Sequence, residues 1–318
     1  MIFCSLRYKL FLQVLAFGLA CCSPALGSKT LDLTGYIDET GAITVQRNGD
    51  TVDPYFSLQA LRLANAHGLD TSAPASGWLN WLAPRYEASS RLDRYCKRQS
   101  QWWSCKSADA DDASLALWLA FLQARPSGTG NTVRISALKQ QARQDLQALQ
   151  DRRTGLYRVS KKIPHNLFMD NLEVWSVQPS KRLERAIQRA FWDGHLQIFR
   201  VSTQPDHPYP MAVFYPDATA QLYPLLMKFP HIPGGKPAFY KQWMAKYRHL
   251  WLSQMSTDFA WGLMALAAWE QGDFETVLCW QARAIPLRHG LHWTVTDEVV
   301  FQIISSPLPS STSTEDCT

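Results

Sequence analysis

The sequence predicts a mainly all-α chain, an (α/α)6-type toroid of helical hairpins with small β-hairpin inserts. Three observations carry this expectation. Most apolar residues recur at helical spacing. The helical runs are of two kinds, one apolar nearly all round and one apolar on a single stripe, and the kinds alternate along the chain. A helix apolar on every side is buried on every side, whereas a striped one covers a core and meets water. The simplest use of that order is a ring with the first kind inside and the second outside. A helical solenoid is the alternative, but no sequence repeats at fixed spacing.

In chain order, Arg7 and Lys9 precede an apolar run, Leu10 to Cys22, followed by the small-residue exit Ser23-Pro24-Ala25-Leu26-Gly27. Positive start, short apolar core and small exit describe a cleavable signal peptide over residues 1–27, cut near Gly27. The run is shorter than the ~20 apolar residues that span a bilayer, and no later segment reaches that length. A lipoprotein site at Cys21 is the rival reading. The expected product is periplasmic or secreted, with a single domain over residues 28–304 and a flexible Ser- and Pro-rich tail over 305–318.

Within the domain, Thr30 to Val52 reads as a β-hairpin, from short alternations around Asp38-Glu39-Thr40-Gly41. Six runs are apolar nearly all round: 56–69, 113–124, 167–177, 218–227, 259–269 and 295–304. Between them lie five striped runs: 78–86, 131–150, 181–191, 238–251 and 273–284. No sixth outer helix is available, so the ring is either incomplete or closed by the N-terminal hairpin. Gly155 to Ser160 reads as a strand, and Leu196–Val201 with Met211–Tyr215 as a hairpin around the Pro-rich loop 204–210.

Composition narrows the function. Net charge is +5 without a Lys/Arg stripe, which speaks against nucleic acid and suits an anionic glycan better than a cationic one. Four of the seven cysteines lie beyond the signal: Cys96, Cys105, Cys279 and Cys317. Cys96 and Cys105 bracket a short aromatic loop with Trp102 and Trp103 and are expected to pair in an oxidising compartment. No metal set, phosphate loop or Gly-x-Ser-x-Gly elbow is present, and no cofactor is expected.

Chemistry is suggested by position. Each inner run starts with acids and aromatics: Asp53-Pro54-Tyr55, Asp109-Ala110-Asp111-Asp112, Asp170 with Glu173, Tyr215-Pro216-Asp217, Asp258 ahead of Trp261, and His292-Trp293 with Asp297 and Glu298. In a ring these starts converge on one funnel. Glycosidic bond cleavage needs one protonated and one ionised carboxyl across the bond. Asp53 is the candidate acid, and Asp112 or Asp170 the base. Tyr55, Asp111, Glu173, Tyr215, Trp261, His292 and Trp293 are candidate substrate contacts. Asp also caps helices, so capping is the plain alternative for any single acid, above all for Asp217 and Asp258.

The run Ala108-Asp109-Ala110-Asp111-Asp112, followed by Leu115-Ala116-Leu117-Trp118, is similar to the acidic signature of family 8 glycoside hydrolases, within the six-hairpin glycosidase superfamily. Asp151-Arg152-Arg153-Thr154-Gly155-Leu156-Tyr157, then Asp170-Asn171, resembles a strand-then-helix entry of several six-hairpin families. The resemblance implies a toroid and a hydrolase of polysaccharides. Asp53 stands where the family carries a glutamate as proton donor. Three activities follow as expectations: a polysaccharide hydrolase, a non-catalytic glycan-binding or exopolysaccharide-assembly protein on the same scaffold, and a polysaccharide lyase. The lyase would use His165, Tyr157 and Arg158.

Overall fold

The computed structural model describes residues 29–125, 132–204, 213–305 and Cys317. The expected signal segment, the loop 205–210 and the tail 306–316 lie outside the described residues. Eleven α-helices occur among the described residues: α1 (Pro54–Ala66), α2 (Ser72–Ser89), α3 (Asp111–Gln123), α4 (Thr132–Ala148), α5 (Phe168–Val177), α6 (Lys181–Phe191), α7 (Thr219–Leu226), α8 (Lys236–Gln254), α9 (Gly262–Glu270), α10 (Phe274–Ala284) and α11 (Val295–Ile304). The chain is thus mainly helical, as expected.

The odd helices are the ones read as inner. Ten of the thirteen residues of α3 are buried, and nine of the ten of α11. Helix α4 buries only Leu138, Ala142 and Leu146, one stripe at four-residue spacing. Neighbouring odd helices pack in the order α1, α3, α5, α7, α9, α11, and α11 packs against α1. Helices α4, α6, α8 and α10 each pack on the odd helix before them.

Local sequence explains the helix starts. Pro54 sits in the first turn of α1, where its missing N–H costs nothing, and the Asp53 carboxylate accepts from Tyr55 N at 3.0 Å. Ser180 caps α6 and Asp273 caps α10. Thr294 and Asp297 form a reciprocal capping box on α11. Asp297 also accepts from the backbone N–H of Gly262 at 2.7 Å, joining α11 to α9. A Cβ on Gly262 would stand 3.0 Å from that carboxylate, so a larger residue would press on the junction.

The β-structure differs from expectation. Within 30–52 the hairpin reduces to one antiparallel bridge, Ile37 with Ile43, among turns. The sheet is instead β1 (Thr51–Val52), β2 (Arg94–Arg98) and β3 (Gln101–Lys106), antiparallel in that order. Its β2–β3 hairpin occupies the segment read as a disulfide loop; the polar Arg94–Lys106 stretch has no apolar alternation to mark it. Similarly β4 (Trp192–Asp193) pairs with β5 (Ile198–Phe199), and Phe214–Ala218 is a π-helical turn rather than a strand. The expected strand 155–160 makes a single bridge, Gln150 with Tyr157.

Segment 29–52 covers α11. Asp32 exchanges two hydrogen bonds with the Gln302 side chain, and Val295 N donates to Val45 O. The disulfide Cys96–Cys105 is present and ties β2 to β3. A second, Cys279–Cys317, ties the end of the tail to α10, which the sequence did not suggest.

Candidate functional site

A cleft of about 870 Å³ opens where the odd helices begin. All six starts line it: Asp53 and Tyr55 before and in α1, Asp109 and Ala110 before α3, Leu167 and Asp170 at α5, Tyr215 before α7, Trp261 before α9, and Thr294 before α11. Six helix N-termini carry partial positive charge to this end, which favours the acids gathered there.

The α1–α3–α5 arc is ionic. The Asp53 carboxylate takes its second contact from Arg94 Nε at 2.5 Å. The same guanidinium reaches Asp109 at 2.5 Å, and Lys106 lies 3.0 Å from the other Asp109 oxygen. Arg94 is therefore a brace between the α1 and α3 starts. It was missed in the sequence, because its partners lie 41 and 15 residues away and meet only through β2.

Three buried carboxyls cluster here, one at the cleft surface and two beneath it. Asp170 lines the cleft, and its Oδ2 is buried without a hydrogen-bond partner. Burial pushes its pKa up to about 7. Glu173, one helical turn on, is 1% exposed; burial and the Asp170 charge push it up to about 8, against hydrogen bonds from Tyr55 and Gln59 and the charge of Arg62. Tyr55 Oη donates to Glu173 at 2.6 Å and lies 3.3 Å from Tyr223 Oη; Gln59 Nε2 is 3.4 Å from Glu173. Asp112 is fully buried with neither oxygen hydrogen-bonded, and burial followed by Asp170 holds it well above the carboxylate range. Like charges this deep cannot all ionise, so the group retains protons at neutral pH.

The α7–α9 arc is mainly aromatic and aliphatic, with Asp258 and Gln254 as its polar groups. Tyr215 stacks on Trp261 with ring centres 5.1 Å apart and planes at 22°. Phe259 and Phe214 pack edge-on against Trp261. Trp261 sits in the left-handed region at φ 51°, and its indole N–H donates to Asp258 at 3.1 Å. Such a conformation at a bulky residue costs on the order of 1–3 kcal/mol and marks a site worth functional attention.

The structure brings Asp53, Tyr55, Asp170, Tyr215 and Trp261 to the cleft wall, with Glu173 directly behind it. Four expectations are corrected. Asp112 is beneath the cleft rather than on it, because the first turn of α3 points its side chain into the helix packing. Asp111 turns away toward Arg91, Asp93 and Lys161. Trp293 is a core residue, 1% exposed and stacked on Trp280, with its N–H bonded to Glu298. His292 faces a separate small pocket with Leu291.

Capping explains fewer acids than expected. Asp258 holds an indole and Asp217 is buried without hydrogen bonds, so neither caps a helix. The lyase set does not gather: none of Tyr157, Arg158 and His165 lines the cleft, and Tyr157 is buried against Asn166 and Asn171. Of the cleft residues missed, Gln59 and Tyr223 had a readable signal, as polar groups inside otherwise apolar runs. Leu250, which reaches in from α8, had none. Among the described residues no helix is long and apolar enough to cross a membrane. No protein-family model, curated protein or solved structure matches the chain.

Proposed function

We propose that this chain is an exported, glycan-active protein on an (α/α)6-type toroid, closed by the N-terminal segment in place of a sixth outer helix, and that its cleft hydrolyses glycosidic bonds in a polysaccharide or oligosaccharide. One observation carries the reading: the six inner-helix starts meet in one cleft that holds a proton-bearing carboxyl, Asp170, and an ion-paired carboxylate, Asp53. Cleavage needs such a pair, one acid to protonate the leaving oxygen and one carboxylate to activate water or attack the sugar. The roles expected from sequence are exchanged. Asp170 is the acid, since burial keeps its proton near neutral pH, and Asp53, braced by Arg94, is the carboxylate. Tyr215 and Trp261 offer flat faces for sugar rings, and burial holds the Asp170 proton while the Asp170 charge in turn raises the buried Asp112 and Glu173. Two disulfides support an oxidising compartment, periplasmic or extracellular.

The test is incubation of the disulfide-intact protein with a panel of neutral and anionic polysaccharides, reading reducing ends and unsaturated products in parallel. Reducing ends without unsaturation are expected; unsaturated product would overturn hydrolysis in favour of elimination. A second reading has its own observation. Both Asp53 oxygens are already engaged, by Tyr55 N and by Arg94, which suits a glycan-binding or assembly protein without turnover. Binding of a glycan in the panel with no cleavage would select it.

A further inference from the structure

We propose that the ligand of this cleft is amphiphilic, a saccharide carrying an alkyl or acyl chain, with the sugar between the acids of the α1–α3–α5 arc and the Tyr215–Trp261 face, and the chain on Val213, Leu250 and Phe259. The inference rests on the glycan reading and deepens it. The cleft is divided. The braced Asp53, Asp109 and Arg94, with Asp170, occupy one arc of the helix ring. The other arc exposes Val213, Tyr215, Leu250 and Phe259, at 39, 55, 42 and 37% of their surface. Four large apolar side chains left open in one cleft mark a ligand surface.

A bare sugar satisfies only part of that surface. Its C–H face stacks on one aromatic plane, which Tyr215 on Trp261 supplies. Its hydroxyl-bearing edge finds no partner at Val213, Leu250 or Phe259; of the polar neighbours, Asp258 is engaged by the Trp261 indole and the Gln254 amide nitrogen is buried. A hydroxyl desolvated there is penalised. An aliphatic chain has no such groups. Leu250 comes from the outer helix α8, so the apolar arc extends outward past the inner-helix starts, in the direction a substituent leaving a ring would take. Trp261, the residue that organises this arc, is fixed at positive φ and pinned by Asp258, so the surface is pre-formed.

The test is calorimetric titration of the disulfide-intact protein with methyl β-D-glucoside, octyl β-D-glucoside below its micelle-forming concentration, and octanoate. Each methylene seated adds about fourfold in affinity, so three seated give the octyl glycoside about a 60-fold advantage over the methyl one. Leu250→Asp and Val213→Ser should each remove about tenfold or more of that advantage and leave methyl glucoside binding unchanged. Both positions are exposed, and a thermal melt checks that each variant folds. Octyl and methyl glucosides binding alike, neither binding, or octyl binding equally well to both variants would overturn the inference. Methyl glucoside binding without octyl advantage leaves the glycan reading intact. Octanoate binding as tightly as octyl glucoside would overturn the inference together with the glycan reading.

Discussion

Glu173→Gln should stabilise the protein at alkaline pH and flatten its dependence of stability on pH. Glu173 is buried behind the cleft, with Tyr55 and Gln59 as donors, and its carboxyl is pushed from an ordinary 4.5 to about 8. The folded chain therefore binds a proton that the unfolded chain releases once pH exceeds about 4.5. The stability this contributes is fully present below that pH and is lost as pH rises toward 8. At about 1.4 kcal/mol per pH unit, the loss is on the order of 4–5 kcal/mol for an isolated group. Asp170 and Asp112 share the same protons, so half of that is a fair expectation for one substitution. Glutamine keeps an oxygen for the Tyr55 hydroxyl and carries no charge at any pH. Urea unfolding with disulfides intact, at pH 5 and at pH 8.5, reads the effect. Parallel curves for parent and variant would refute the buried, proton-holding account of this cluster.

Three further outcomes follow from other parts of the fold. Thr294→Ala removes the capping hydroxyl of α11 and should cost about 1–2 kcal/mol in the same unfolding assay. Replacing Cys96 and Cys105 together by serine reopens a cross-link nine residues apart and should cost about 2–3 kcal/mol, while thiol titration of the unreduced, denatured parent should find neither free. Asp258→Ala frees the Trp261 indole, so quenching of tryptophan fluorescence by acrylamide should rise while the melting temperature changes little; unchanged quenching would mean that Asp258 does not hold the ring.

Much of this architecture is legible in the sequence because burial leaves a periodic trace. The run 295–304 and the run 181–191 are α11 and α6 to the residue, since Thr294 and Ser180 cap them. Boundaries were poorer at α2, read from 78 but starting at Ser72, where Pro74 and Pro84 break the helical pattern. Convergence of the acid starts was readable from the alternation of inner and outer runs. The fate of each acid was not. Asp111 and Asp112 are neighbours in sequence, yet one stays half-buried beside Arg91 and Asp93 and the other turns into the core, a difference of about 100° around the helix axis. Trp293 looked like a platform because an indole at a helix start stacks on sugar or on core equally well; its neighbour Glu298 decides for the core. Arg94 lies in a polar stretch whose hairpin has no periodicity, so its brace on Asp53 and Asp109 is visible only in three dimensions.

The central claim is that Asp170 delivers the proton in glycosidic cleavage. On whichever polysaccharide the parent cleaves, Asp170→Asn keeps the shape of the side chain and removes the transferable proton. General acid–base catalysis is worth about 10²–10⁴-fold, so the variant should lose at least about a hundredfold in kcat while remaining folded and unfolding cooperatively. The parent's kcat should fall as pH rises through about 7, the value to which burial lifts the Asp170 carboxyl. A folded Asp170→Asn protein that cleaves within about threefold of the parent rate would contradict the account, because that change is far below the contribution of a general acid.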